Sequence, residues 1–247
     1  MNTATAENKI MHIISAQNFY KIPGNPIAYW VSQAVSDVFR MGNSLGDIAQ
    51  PRVGLQTNDN EKYLRFWYEP NYMNIERGCV SYVDSLNSER KWYGHNKGGK
   101  YRKWYGNIIY VIEYRHNGTV LRSDPKAAVI PDMLVFKEQL SYSRLGGERL
   151  SMRWFPAGMI FDSAAVVAFP RYNESLYILG VMNSKIISRL ISAIAPTTNT
   201  QPGDISKIPI VVSDELNDKL VAECVQLAKK DWDSFETSWD FRKHPLV

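Results

Sequence analysis

Apolar positions along this chain fall into three regimes. Near the N-terminus, Ile27, Trp30, Val31, Ala34, Val35 and Val38 recur at helical spacing and predict an amphipathic helix over 27–40, entered through Pro26. The middle is richer in β-formers. Residues 107–114, 140–145, 150–154 and 159–169 read as strands, separated by Gly146-Gly147 and Pro156-Ala157-Gly158. After Pro170 the helical period returns. Leu176, Leu179, Met182, Ile186, Ile187, Leu190, Ile191 and Ile194 predict one long helix from 175 to 195, stopped at Pro196.

Smaller signals fill the gaps. Residues 42–50 read as a polar break. Asn60 caps a short helix over about 60–68 that would bury Leu64 and Trp67. Strand pieces are expected around 79–83, and Asn117-Gly118 predicts a hairpin with a return strand from Thr119. Gly203 to Ile210 reads as a turn into a short strand. A final helix over about 214–230 would bury Leu216, Leu220, Cys224, Leu227 and Ala228, with a short helical continuation over 231–241. The expected class is α+β: a β-rich central recognition module flanked by an N-terminal helix and a C-terminal helical segment. The expected division is 1–170 for the N-terminal helix and β-rich module, and 171–247 for the helical part.

Composition narrows the class. The 247 residues are 45% apolar and 22% charged, enough to bury a core. Two distant cysteines, Cys79 and Cys224, make neither a disulfide framework nor a zinc pattern. No apolar run reaches spanning length and the first residues lack a signal-peptide core, so a cytoplasmic protein with no membrane contact is expected.

Charge changes the picture more than composition does. The net charge is +4, yet Arg90 to Tyr105 alone holds six Lys or Arg, five Trp or Tyr and no acid. The remainder is therefore slightly acidic, and the positive field is local. Cations interleaved with large rings suit a surface that holds a polyanion. Gly98-Gly99 lets backbone N–H groups approach a phosphate, with Lys97, Lys100, Arg102 and Lys103 beside it. Trp92 and Trp104 suit either a base-stacking role or a local core. Arg144, Arg149 and Arg153 form a looser second group, with base reading or surface solubility as its two readings.

Catalytic constellations are absent from the sequence. No Walker-type loop and no GxGxxG after a strand occurs. His12, His95, His116 and His244 lack metal-ligand spacing, so no metal is expected. Asn25-Pro26-Ile27 superficially resembles the Asn-Pro-Pro-aromatic motif of adenine-N6 methyltransferases, but lacks the second proline and reads as a helix entrance. Asp84, Glu89 and Lys91 have the order of a magnesium-dependent nuclease site, a spacing common by chance.

Five segments nonetheless carry a family resemblance. They are FYKIPGNPIAYWV at 19–31, GLQTNDNEKYLRFWY at 54–68, KWYGHNKGGKYRKWYGN at 91–107, LYILGVMNSKI at 176–186 leading to APTTNTQPGDISKIPI at 195–210, and DWDSFETSWDFRKHPL at 231–246. Together they resemble the C-terminal target-recognition region of the PglX family, the adenine-specific DNA methyltransferases of BREX phage defence. More broadly they are similar to the specificity domains of single-chain restriction–modification enzymes. Two departures stand out: Asn58 replaces the family's glycine in Thr-Gly-Asp-Asn, and the usual Pro-Tyr before Asn96 is missing.

The resemblance implies a non-catalytic domain that recognises a sequence in double-stranded DNA, in a cassette lacking the catalytic half. S-adenosylmethionine would bind that absent half, so no cofactor is expected in this chain. Its expected partners are duplex DNA and a methyltransferase domain, in cis or in trans. It carries a general DNA-contact role onto Asn96, Lys97, Gly98, Gly99, Lys100, Arg102 and Lys103, to which the residues add Trp104, Arg144, Arg149 and Arg153. Base contacts are expected in the strands at 134–169. The alternatives are a nuclease or degenerate methyltransferase, and a protein-interaction module docking a methyltransferase domain.

Overall fold

The computed structural model describes residues 33–145, 150–170, 174–194, 199–211 and 218–247. Its class is α+β, as expected. The elements run α1 (Gln33–Met41), β1 (Asn43–Ser44), α2 (Leu45–Ile48), β2 (Ala49–Arg52), α3 (Asn60–Tyr63), β3 (Leu64–Phe66), β4 (Ile75–Glu76), α4 (Tyr82–Asn87), β5 (Trp92–Asn96), β6 (Tyr110–Glu113), α5 (Arg115–Arg122), β7 (Gln139–Ser143), β8 (Met152–Phe155), β9 (Met159–Phe161), β10 (Ala165–Pro170), α6 (Ser175–Met182), α7 (Lys185–Ile194), α8 (Pro202–Ser206), β11 (Pro209–Ile210) and α9 (Asp218–Trp232).

Among the described residues two larger sheets carry the fold, beside a two-stranded pairing of β1 with β11. The first is antiparallel, in the order β2-β10-β7-β8. One face packs on α6, α7, α8 and α9 through Leu140, Tyr142, Met152, Val166, Ile178, Leu179, Leu190 and Val225. This core draws on residues from both sides of Pro170. The second sheet is mixed, in the order β3-β6-β5, with β4 and β9 lying end to end along the far side of β5. Its core holds Tyr63, Tyr93, Ile112, Tyr114, Phe136 and Phe161. β9 belongs to the second sheet and β10 to the first. The corner Asp162-Ser163-Ala164 between them is where the sheets join.

The long strand expected at 159–169 is therefore two strands. The long helix expected at 175–195 is likewise α6 and α7. Asn183 breaks it by turning its side-chain amide onto the edge of β8: Met152 N donates to Asn183 Oδ1 at 3.0 Å, and Asn183 Nδ2 donates to Met152 O at 2.9 Å. The amide stands in for a neighbouring strand and gives Met152 N its partner, while Met152 O also accepts from Trp104 N. Ser184 Oγ then accepts from Ile187 N and starts α7.

Other expectations are corrected. The supposed polar break at 42–50 is structured, with Leu45 and Ala49 fully buried. The helix at 60–68 stops at Tyr63, because Leu64–Phe66 pairs with β6. The expected strand near 79–83 is instead the start of α4. Ser81 Oγ accepts from Asp84 N, and Asp84 Oδ2 accepts from Ser81 N, a reciprocal cap that outweighs the β-preference of Tyr82 and Val83. The hairpin at Asn117-Gly118 is absent. His116, Asn117 and Gly118 do take left-handed backbone (φ 50, 57 and 69), but they lead into a helical turn held by Arg122, which donates to Asn117 O and pairs with Asp132. Gly203 lies in α8 rather than in a turn. Of the helix predicted at 27–40, residues 33–40 fall in α1, and 27–32 lie outside the described residues.

α9 buries a different stripe from the one expected. Val221, Val225 and Trp232 face inward; of the expected residues Cys224 and Ala228 are half-buried, Ala228 packing beside Trp232, while Leu220 and Leu227 are exposed and Leu216 lies outside the described residues. Both stripes have helical spacing. Docking of Trp232 against Tyr105 and Phe155 selects one. Beyond Trp232, residues 233–241 form turns rather than a helix.

Candidate nucleic-acid interface

The cationic stretch wraps the corner between the sheets. Its first part is β5, whose five residues are all buried. Trp92, Tyr93 and Tyr105 are buried, Trp104 is half-buried, and of the five rings only Tyr101 is exposed. Trp104 holds a backbone bridge to β8: its N donates to Met152 O and its O accepts from Trp154 N. The rings thus mostly fill core, and their stacking role reduces to Tyr101.

The cations are also largely engaged. Arg90 donates to Ile75 O at 2.7 Å, Lys91 pairs with Glu113 at 3.2 Å, and Lys97 with Asp162 at 3.0 Å. Arg102 pairs with Asp231 at 2.9 Å and lies over the Trp232 ring, and Lys103 donates to Asn183 O at 2.6 Å. Lys100 is exposed and has no partner among the described residues.

The turn around Gly98-Gly99 is fixed from behind. Asn96 is fully buried; its Nδ2 donates to Gln139 Oε1 and its Oδ1 accepts from Gly98 N. Gly98 has φ +75 and lies so close to the corner that a Cβ would stand 3.0 Å from Ala164 O. Ser143 Oγ donates to Gly99 O at 2.7 Å, and Asn107 Nδ2 donates to Lys100 O at 2.8 Å. The carbonyls are therefore pinned. Among the described residues, no hydrogen bond uses the backbone N–H groups of Gly99, Lys100 or Tyr101.

Beneath the turn lies a polar network centred on Asp162, which is 4% exposed. Its Oδ2 takes the Lys97 ammonium at 3.0 Å and the His95 Nε2–H at 3.2 Å, and its Oδ1 takes Ala164 N at 2.8 Å. Burial alone would raise its pKa. The His95 hydrogen bond, the Ala164 N–H and the Lys97 charge outweigh burial and hold the carboxyl below the usual range. His95 is fully buried, and desolvation lowers its pKa despite the neighbouring carboxylate. Lys97 reaches further, to Asn60 Oδ1 at 3.2 Å, and Asn60 Oδ1 also accepts from Thr57 at 2.9 Å. The 57–60 and 96–100 segments thus meet at one ammonium group.

The second group of arginines separates. Arg144 donates through Nε to Asn199 Oδ1 at 3.2 Å. Arg149 lies outside the described residues. Arg153 is fully buried and donates to Arg102 O at 3.1 Å and Ser143 Oγ at 2.9 Å. Burial and then the Arg102 charge lower its pKa to about 10. Its guanidinium braces the turn from inside and is closed to a ligand. Strands at 139–161 likewise bury nearly every side chain, so they offer few groups for base contacts. The supposed nuclease trio is dispersed. Asp84 caps α4, Lys91 pairs with Glu113, and Glu89 stands exposed near His116. Among the described residues no group of three or more His, Cys, Asp or Glu could hold a metal ion, and no helix is long and apolar enough to cross a membrane.

Sequence reasoning missed Asp162, Ser143 and Asn107. Asp162 and Ser143 act on the turn from distant segments with no local signal, whereas Asn107 closes the 91–107 segment and acts across seven residues. Thr57 and Asn60 stand in the 54–68 segment singled out by resemblance; the helix cap expected of Asn60 falls to Asp59, which accepts from Lys62 N.

No protein-family profile matches the chain. The adenine-specific methyltransferase BrxX of Escherichia coli O9:H4 (strain HS) is 36% identical over 235 residues, covering 93% of this chain. The adenine-specific methyltransferase PglX of Lacticaseibacillus casei (strain Zhang) is 31% identical over 244 residues, again 93% of this chain. The chain is similar, nearly end to end, to one part of the BREX adenine-specific methyltransferases. It spans only 18% of BrxX and 20% of PglX, about a fifth of their length. The expected resemblance therefore holds, and the matching segment contains the turn and the Asp162 network.

Proposed function

We propose that this chain is a non-catalytic, sequence-specific recognition domain for double-stranded DNA within an adenine-specific methyltransferase of a phage-defence system. One observation carries the reading. In the Gly98–Tyr101 turn Ser143 and Asn107 tie back the Gly99 and Lys100 carbonyls and Asn96 takes the Gly98 N–H, while the N–H groups of Gly99, Lys100 and Tyr101 and the Lys100 ammonium have no partner among the described residues. A rigid turn offering several unused donors and a cation, and no carboxylate, matches a phosphate oxygen. Lys97, Arg102, Lys103 and Arg144 line the same stretch as secondary contacts. Asn96, Gly98, Trp104 and Arg153 hold its shape. The similarity to BrxX and PglX supports a methyltransferase context, with methyl transfer lying outside these residues.

The test is duplex binding by fluorescence anisotropy across a salt series. Six cations on phosphates would give a slope of log K against log salt of about −5. Five of the six already have protein partners, so a shallower slope of roughly −1 to −3 is expected. No duplex binding at low salt would end this reading.

A second reading, docking of a methyltransferase domain, draws on α9, which exposes Leu220 and Leu227. A Leu220→Ser/Leu227→Ser variant should then lose a complex with a relative's catalytic part while keeping its own melting temperature. Unchanged complex formation would remove it.

A further inference from the structure

Beside Lys97 lies a shallow groove of ≈ 390 Å3, between α3 and the β3–β6 edge. Its composition differs from that of the Gly98–Tyr101 turn. The wall is aromatic: the Phe66 ring stacks on Tyr110 at 5.0 Å and on Tyr68 at 5.4 Å. The rim carries polar groups of both kinds. Asn60 Oδ1 is occupied by Thr57 and Lys97, which leaves the amide NH2 group as a donor. The Glu61 carboxylate is exposed and has no partner among the described residues. Glu69 adds a second carboxylate, one oxygen of which accepts from Phe66 N.

The two carboxylates balance Lys97 and Arg65, whose guanidinium is already taken by the Glu61 and Leu64 carbonyls, so the groove lacks the net positive charge that phosphate needs. A base edge is different. Carboxylates accept from the exocyclic amines of cytosine or adenine, amides offer both donor and acceptor, and apolar walls tolerate the flat ring. Lys97 belongs both to this groove and to the start of the phosphate-facing turn, so the two surfaces are contiguous. The strands at 139–161 offer few such contacts, because nearly all their side chains are buried. We infer that the groove reads a base edge of duplex DNA, with Glu61 accepting from an exocyclic amine while the adjoining turn holds a phosphate. This inference rests on the DNA-recognition reading and adds to it the place where sequence is read.

The experiment selects bound duplexes from a random-sequence pool, using the parent protein, Glu61→Gln, Tyr110→Phe and, as a control on the exposed side of α9, Glu223→Gln. Glutamine at 61 exchanges an acceptor-only group for one that also donates. The Glu61→Gln pool should shift base preference at one position of the enriched motif by about fivefold or more. Its binding to random duplex at low salt should stay within about twofold of the parent, because no phosphate contact is removed. Tyr110→Phe keeps the aromatic wall and should enrich the parental motif, as should Glu223→Gln. A Glu61→Gln pool identical to the parent's, with duplex binding intact, overturns the groove assignment and leaves the DNA-recognition reading standing. A parent that binds duplex without enriching any motif overturns it as well. Absence of duplex binding by the parent overturns both.

Discussion

Lys97 Nζ lies 3.0 Å from Asp162 Oδ2, and this contact ties the cationic turn to the corner where the two sheets join. Asp162 is almost completely buried, while the Lys97 side chain keeps 23% of its surface exposed. The pair is therefore anchored inside and open outside. It can fix the turn and still present positive charge to solvent.

Removing the inner partner should be costly. Asp162→Asn leaves Lys97 without its carboxylate and weakens the Ala164 and His95 hydrogen bonds. Breaking such a pair should destabilise the fold by roughly 2–4 kcal/mol. Urea denaturation measures this, and a loss below about 1 kcal/mol would mean that the network is not structural.

The same network sets a pH dependence. His95 has a lowered pKa in the fold because it is buried, so the unfolded chain binds a proton that the folded chain refuses. Its contribution is complete above the unfolded histidine pKa of about 6.5 and declines as pH falls below it. Asp162, also lowered, contributes fully above about pH 4 and loses that contribution on further acidification. Stability should therefore fall on acidification in two stages. His95→Gln should flatten the first stage between about pH 6.5 and 5 in urea titrations, and an unchanged profile would contradict the assignment.

Two glycines differ in what they permit. Gly54 Cα faces β9 so closely that a Cβ would lie 2.2 Å from Phe161 O, where Leu55 N donates at 2.9 Å. Gly54→Ala must displace backbone. Gly98→Ala meets Ala164 O at 3.0 Å and imposes a left-handed alanine, a cost of about 1–3 kcal/mol. Thermal melts should rank Gly54→Ala as the more damaging, with Gly98→Ala still folded and reduced in DNA affinity.

The cysteines should react unequally. Burial pushes the Cys79 thiol up to about 12 and hides it, whereas Cys224 is half-buried on α9. In native protein near pH 8 one thiol should titrate with a thiol reagent and the second only on denaturation. Two fast thiols would show that the Cys79 region opens.

Lys100 and Arg153 should separate binding from folding. Lys100→Ala removes an exposed, unpartnered cation; it should leave stability unchanged and reduce the salt slope of duplex binding by about 1. Arg153→Ala removes a buried brace and strands Arg102 O and Ser143 Oγ, and should cost about 2–4 kcal/mol. If Lys100→Ala binds duplex as the parent does, the turn is not the phosphate contact.

Local chemistry in the sequence determined a good deal. The runs of β-formers place strand structure in 139–170, without the corner that divides β9 from β10, and the helical period after Pro170 places α6, α7 and α9, without the break at Asn183. The density of charge at 90–105 marks the candidate surface, and Gly98-Gly99 marks its turn. These features depend on residues close together in the chain, so a linear reading reaches them.

Tertiary structure decided the rest, because it turned on partners far away in sequence. Asn183 ends a helix because β8 lies beside it, and α9 buries Val221 rather than Leu220 because Trp232 docks on Tyr105. Lys97 and Lys100 look alike in sequence. Only the corner at Asp162, 65 residues from Lys97, makes one an anchor and leaves the other free. Five of the six cations are likewise engaged by groups that no spacing rule connects to them. A charge is drawn to whatever opposite charge folding brings within reach, and that distance is a property of the fold.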